Sequence, residues 1–282
     1  MILVDPPVWP AHDTLWSHLV SDTSVAELHA FAGALGIGRR AFDLDHYDIP
    51  AARHREVVEA GATPLSGGEL TRRLIGSGLR VRGRDRPLLK GLRRRWLDRR
   101  PEDFTPVDDL LVRWREPHRT YHDARHLAEC LTALDLLADR PELTRTAELA
   151  LWFHDAVHDG STPGDEQASA ALAVEVLDDP RVAELILMTA HHDPDPADPV
   201  AALVSDADLA ILGAEPKRYD EYRRQIRAEY ATVPEEQFRV GRAAVLEQLL
   251  ALPTLYRTER GRRLWAERAG ANLRGELADL RP

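Results

Sequence analysis

Residues 149–160 read LALWFHDAVHDG, and they restrict the fold more than any other stretch of the chain. Five apolar residues in a row belong in a core. Directly after them stand His154 and Asp155, then His158 and Asp159. Burying such groups unpaired is costly. A fold that accepts this segment must therefore bring compensating partners to its end, and a metal ion is the leading candidate.

The rest of the chain offers donors at matching places. Of 12 histidines, seven fall between residues 118 and 192: His118, His122, His126, His154, His158, His191 and His192. His122 and His126 are four apart, as are His154 and His158, so each pair is expected to share a helix face. Asp155 is expected about 100° round the axis from His154. His191 and His192 close a third apolar periodic segment, and Asp206 and Asp208 lie within a fourth. Four packed helices can aim such side chains at one interior point. Nitrogen and oxygen donors without thiolate suit Mn, Fe, Co, Zn or, with more oxygens, Mg, as one ion or two. Such an ion makes hydroxide available near neutral pH, which beside a phosphate ester implies a hydrolase.

Patterning predicts two parts. Over residues 1–83, short strands in MILVDP and RRAFDLDHYDIP alternate with helices in DTSVAELHAFAGALG, IPAARHREVVEAGA and SGGELTRRLIGSGL, a small α/β domain. From residue 102 to 282 the pattern is helical nearly throughout. TYHDARHLAECLTALDLLA carries Leu127, Cys130, Leu131, Leu134 and Leu137 on one stripe. Thr162-Pro163, Asp179-Pro180 and Asp198-Pro199 are helix starts, with Pro at the first position. Gly213 is a stop. Further helices are expected over 216–230, 234–251 and 258–280. The fold class is thus mainly α, a helical bundle behind a small α/β domain. Between the parts, residues 84–101 form a basic linker or helix, and residues 80–100 hold ten Lys/Arg against two Asp. That stretch reads as a solvated face, with an anionic-ligand patch using Trp96 for stacking as the alternative.

A net charge of −10 argues against generic nucleic-acid binding. The single cysteine excludes an internal disulfide. MILVDPPVWP lacks the signature of a signal peptide, and no apolar run reaches spanning length, so a cytoplasmic protein without a membrane partner is expected. Nothing in the sequence specifies an oligomeric state.

The ordered set H…HD…D over residues 105–250 resembles the HD superfamily of metal-dependent phosphohydrolases. WFHD, DEQASA and DADLAILG together are similar to predicted bacterial members without an assigned substrate. The stretch MILVDPPVWP…WSHLVSD…ELHAFA…DHYDIP resembles a small domain of unknown function. By the HD resemblance His126 is the first ligand, His154-Asp155 the doublet, and an aspartate of SDADLAILG the last ligand. Its A-D-L context favours Asp208 over Asp206, which would then orient a ligand or water. His192 is preferred to His191, with the roles exchanged as the alternative. Tyr121-His122-x-x-x-His126 and His154-Asp155-x-x-His158-x-Gly160 also look like segments of cyclic-nucleotide phosphodiesterases. That likeness makes His122 the general acid, Asp155 a bridging ligand and His158 a neighbour of a second ion or its water. It does not imply a cyclic-nucleotide substrate.

Arg125, Arg119 and Lys217 are candidate phosphate contacts, and Glu166 is a candidate for holding a water. In the first domain Asp5, His18, Asp43, Asp45, His46 and Tyr47 match no ligand spacing, and a structural or gating role is expected. The implied activity is hydrolysis of a nucleotide or small phosphate ester. A di-iron oxygenase on the same scaffold and a nucleotide-binding regulatory module are the alternatives.

Overall fold

The computed structural model describes residues 1–101, 104–159 and 164–281. It divides into two compact units, Met1–Val112 and Arg113–Pro282. The division falls after the basic stretch rather than within it.

In the first unit, β1 (Ile2–Val4) pairs antiparallel with β3 (Thr14–Ser21) and parallel with β5 (Thr63–Pro64). β2 (Trp9–Ala11) makes a hairpin with β3 through His12 and Asp13, both at positive φ, the conformation a two-residue hairpin turn needs. β4 (Tyr47–Pro50) also pairs with β3, placing His18 opposite Asp48. Strand alternation sends Ile2, Val4 and Leu19 to one face. There they pack with Val25 and Leu28 of α1 (Val25–Ala34) and Val57 of α2 (Ala51–Glu59). Leu3 and Val20 point the other way, onto Leu70 and Leu74 of α3 (Gly67–Gly76). The expected strand in RRAFDLDHYDIP forms only over its last four residues, and Arg39–Ala41 turn as a 3-10 helix.

The basic stretch supplies α4 (Arg86–Arg99), which is followed by α5 (Phe104–Arg113). Its cations face acids of the same unit. Arg80 and Arg86 pair with Asp45, Lys90 and Arg86 with Asp43, and Arg93 with Asp108. Trp96 is buried at 2% exposure, which removes it as a stacking platform.

The second unit is helical: α6 (Ala124–Leu137), α7 (Pro141–Phe153), α8 (Asp165–Leu177), α9 (Pro180–Thr189), α10 (Pro199–Asp208), α11 (Pro216–Glu229), α12 (Glu235–Ala251) and α13 (Glu259–Leu280). Asp179 and Asp198 cap α9 and α10 through their side chains, with Pro in the first turn as expected. α8 starts at Asp165 behind Gly164; Thr162-Pro163, the expected start, lies outside the described residues. The buried α10 packs against α6, α7 and α9, which brings the ends of these helices together. No described helix is long and apolar enough to cross a membrane.

Candidate metal centre

Local capping decides where each donor stands. Asp123 accepts from the backbone N–H groups of Arg125 and His126, so α6 begins after it and His126 lies in the first turn. His122 therefore precedes the helix instead of sharing a face with His126. α7 ends at Phe153, with His154 as its C-cap, so Asp155 and His158 lie in the turn beyond rather than on the expected helix. The buried Arg119 guanidinium holds that turn, donating to the carbonyls of Asp155 (2.7 Å) and Ala156 (3.2 Å) and also to that of His122 (2.9 Å). Arg119 is thus a backbone clamp, not the expected phosphate contact. His192 sits at φ 50° beyond α9, its Nδ1 3.2 Å from Ser205 Oγ. Asp208 is the last residue of α10.

These four helix ends converge. His126 Nε2 lies 3.2 Å from His154 Nε2, 3.2 Å from Asp208 Oδ1 and 3.6 Å from Asp155 Oδ2. His154 Nε2 is 3.1 Å from Asp155 Oδ2 and 3.5 Å from Asp208 Oδ1, and His192 Nε2 is 3.5 Å from Asp208 Oδ2. His154 Nδ1 faces the Leu151 carbonyl at 2.9 Å. A carbonyl only accepts, so Nδ1 carries the hydrogen and Nε2 is the nitrogen available to a ligand. Donors bound to one ion at about 2.0–2.2 Å stand roughly 3.0–3.5 Å from one another. The separations among His126, His154 and Asp208 Oδ1, 3.2 to 3.5 Å, match that spacing, as does the 3.1 Å from His154 to Asp155.

Charge in the set is balanced internally. Burial disfavours ionised Asp155 and Asp208, yet His154 and His126 beside them hold both carboxyls well below the usual range. Burial also opposes charge on the imidazoles. Cys130 and Tyr121 beside His126, and Asp155 and Asp208 beside His154, nevertheless raise both well above the ordinary value. Burial pushes the His192 imidazole down. Protons and a divalent ion compete for the same lone pairs, so the donor set fits a cation whose binding releases protons. Cys130, expected only as part of an apolar stripe, lies with Sγ 3.5 Å from His126 Nε2 and 3.9 Å from Asp208 Oδ1.

A second group adjoins the first. Glu229, at the end of α11, accepts from the N–H groups of Thr120, Tyr121 and His122 on Oε1 and faces His122 Nδ1 at 2.7 Å with Oε2. Burial raises its pKa, but His122 and those N–H groups outweigh burial and hold it down at about 2. His158 packs against His122 with the rings tilted by 40° and their centroids 4.3 Å apart; burial, then His122, pushes it down to about 4. Both groups open on a cavity of about 280 Å³. Its lining includes the polar residues His122, Asp155, Glu166, His191, His192 and Asp208 and the apolar residues Ile211, Leu212, Val245 and Leu249.

The remaining expected contacts separate. Glu166 and His191 reach the cavity. Asp206 does not orient a ligand: it is fully buried and accepts from Arg257 N, Thr258 N and Thr258 Oγ1, fixing the start of α13. Arg125 is paired with Glu129 and Glu221. Lys217 is exposed on α11 and is not among the residues lining the cavity. Glu229 was not legible in the sequence, for it stands 107 residues from His122 at the end of an ordinary charged helix.

Residues 2–77 match the model of a family described as a protein of unknown function (DUF4031). The match covers less than half the chain and lies within the first unit. No curated protein matches the chain, and no solved structure does.

Proposed function

We propose that the second unit is a metal-dependent phosphohydrolase of the HD type. His126, His154, Asp155 and Asp208, with His192 beside Asp208, would hold the ion. The observation that carries this reading is the convergence of His126, His154 and Asp208 from three helix ends at the spacing of one coordination sphere, with Asp155 3.1 Å from His154 and His192 3.5 Å from the second Asp208 oxygen. Bound there, a divalent ion supplies a Lewis acid for a phosphoryl oxygen and lowers the pKa of water.

The chain's own residues do the rest. The Glu229 carboxylate fixes His122 Nδ1, which leaves Nε2 to hold a proton for a departing alkoxide. Glu229 already accepts at both oxygens, which favours an acid–base role for the His122–Glu229 pair over ligation of a second ion. Glu166 and His191 add polar groups to the cavity lining. The apolar wall of Ile211, Leu212, Val245 and Leu249 suits the organic part of a small phosphate ester or nucleotide.

The test is metal content together with phosphate release from a panel of nucleotides and nitrophenyl phosphates, for the wild type and Asp155→Ala. The reading expects metal and turnover in the wild type and loss of both in the variant, with its circular dichroism unchanged. A folded variant that retains both overturns it, as does a wild type that binds iron and consumes oxygen without cleaving any ester.

A further inference from the structure

The first unit holds a histidine–carboxylate constellation of its own. His18 on β3 stands directly opposite Asp48 on β4, and cross-strand neighbours have Cβ atoms about 5 Å apart. His46 immediately precedes β4. One ring nitrogen of each histidine and a carboxylate oxygen of Asp48 lie within 4.8 Å of one another, and His46 Nε2 is 3.4 Å from Asp48 Oδ1.

Each imidazole is backed by a buried carboxylate. His18 Nδ1 is 2.9 Å from Asp5 Oδ2, and Asp5 also accepts from the His18 backbone N–H and from Trp9 Nε1. His46 Nδ1 is 2.7 Å from Asp45 Oδ1. Asp45 is locked by Val81 N, Arg80 and Arg86, so it cannot turn away. With both Nδ1 hydrogens directed at carboxylates, Nε2 is the nitrogen each ring can offer to an ion. Burial opposes charge on His46, but Asp45 and Asp48 outweigh it and raise its pKa to about 9, so an ion bound there takes the place of the Nε2 proton. A carboxylate behind a histidine, with the far nitrogen free, is how proteins orient imidazole toward a metal.

We propose that His18, His46 and Asp48 form a binding site for a divalent transition-metal ion, independent of the second unit. Two imidazoles and one carboxylate suit Zn²⁺, Co²⁺ or a similar ion. The site is reachable: the side chains of His18 and Asp48 are 30% and 44% exposed. Asp48 also lines a cleft of about 430 Å³ with Arg40, Lys90 and Arg94. Three protein ligands leave coordination positions that face solvent. Asp5 and Asp45, expected from the sequence to have a structural or gating role, become the carboxylates that orient the ligands. Asp43 and Tyr47 stay structural, Asp43 paired with Arg86 and Lys90 and Tyr47 buried against His29.

Trp9 provides a local reporter, its ring centroid 5.4 Å from that of His18. Titrating the full chain with Co²⁺ is expected to quench a component of tryptophan emission that Trp9→Phe removes. Asp48→Asn and His46→Gln should each move the midpoint to at least ~10-fold higher Co²⁺. His154→Ala, in the other unit, should leave that midpoint in place. The proposal is overturned if Trp9 emission does not respond up to about 1 mM Co²⁺. It is equally overturned if the midpoint is the same in Asp48→Asn, His46→Gln and wild type. Asp48 is partly exposed, so its variant tests the site without disturbing the core.

Discussion

His154 gives its Nδ1 hydrogen to the Leu151 carbonyl, and His122 turns its Nδ1 to Glu229. These two contacts separate a ligand from an acid. If His122 protonates a leaving group, its loss matters most where that group is a poor one. His122→Ala should lower turnover of alkyl phosphoesters by roughly 10²–10⁴-fold. Nitrophenyl esters, whose anion leaves unaided, should lose much less, and metal content should not change. Equal losses on both ester types would contradict the assignment. A residue far from this chemistry is expected to contribute to acid stability. His29 is buried, its Nδ1 2.8 Å from the Tyr47 hydroxyl, with Asp108 facing its Nε2 between Arg39 and Arg93. Burial, then Arg39 and Arg93, pushes it down to about 3. The unfolded chain takes up that proton near pH ~6.5, so the stabilisation is complete above ~6.5 and is lost as pH falls. By pH ~4.5 the loss should reach about 2–3 kcal/mol, measured by urea unfolding, and His29→Gln should flatten that slope.

Helix starts and helix ends differed in how far the sequence revealed them. Asp179-Pro180 and Asp198-Pro199 announce α9 and α10 because capping is local chemistry between an aspartate and the N–H groups two and three positions on. The end of α7 carries no such mark. No Gly or Pro occurs between Phe153 and Gly160, and the pattern runs on through His154 to His158. The turn there is held by Arg119, 36 residues away, so local reading extended the helix too far. Asp206 shows the same limit. Its sequence context makes it a rival of Asp208, but its partners, Arg257 and Thr258, lie more than 50 positions downstream. Asp206→Ala should therefore leave metal content unchanged while destabilising the second unit by about 2–4 kcal/mol, since it strands three donors. Calorimetry with metal analysis checks this, and loss of metal at unchanged stability would return Asp206 to the ligand set.

Across the whole molecule, composition and periodicity reveal a small α/β part followed by a helical one, because both patterns are set by which faces must be buried. The division at Val112 is less legible: α4 reads as a solvated basic helix until Asp43, Asp45 and Asp108 are seen to pair with it. Of the candidate centre, His154 and Asp155 stand out in the sequence because an apolar run ending in His-Asp demands compensation, while His126, His192 and Asp208 are singled out by the resemblance to the HD superfamily. Glu229 and Cys130 were not, because nothing near either residue in sequence indicates its neighbour in space. The centre's existence is tested most directly by anomalous scattering from crystals of the full chain grown with Mn²⁺ or Zn²⁺. The account predicts a peak about 2.0–2.3 Å from the nitrogens of His126 and His154 and the carboxylates of Asp155 and Asp208. Density that places these four side chains together with no anomalous peak between them would contradict it.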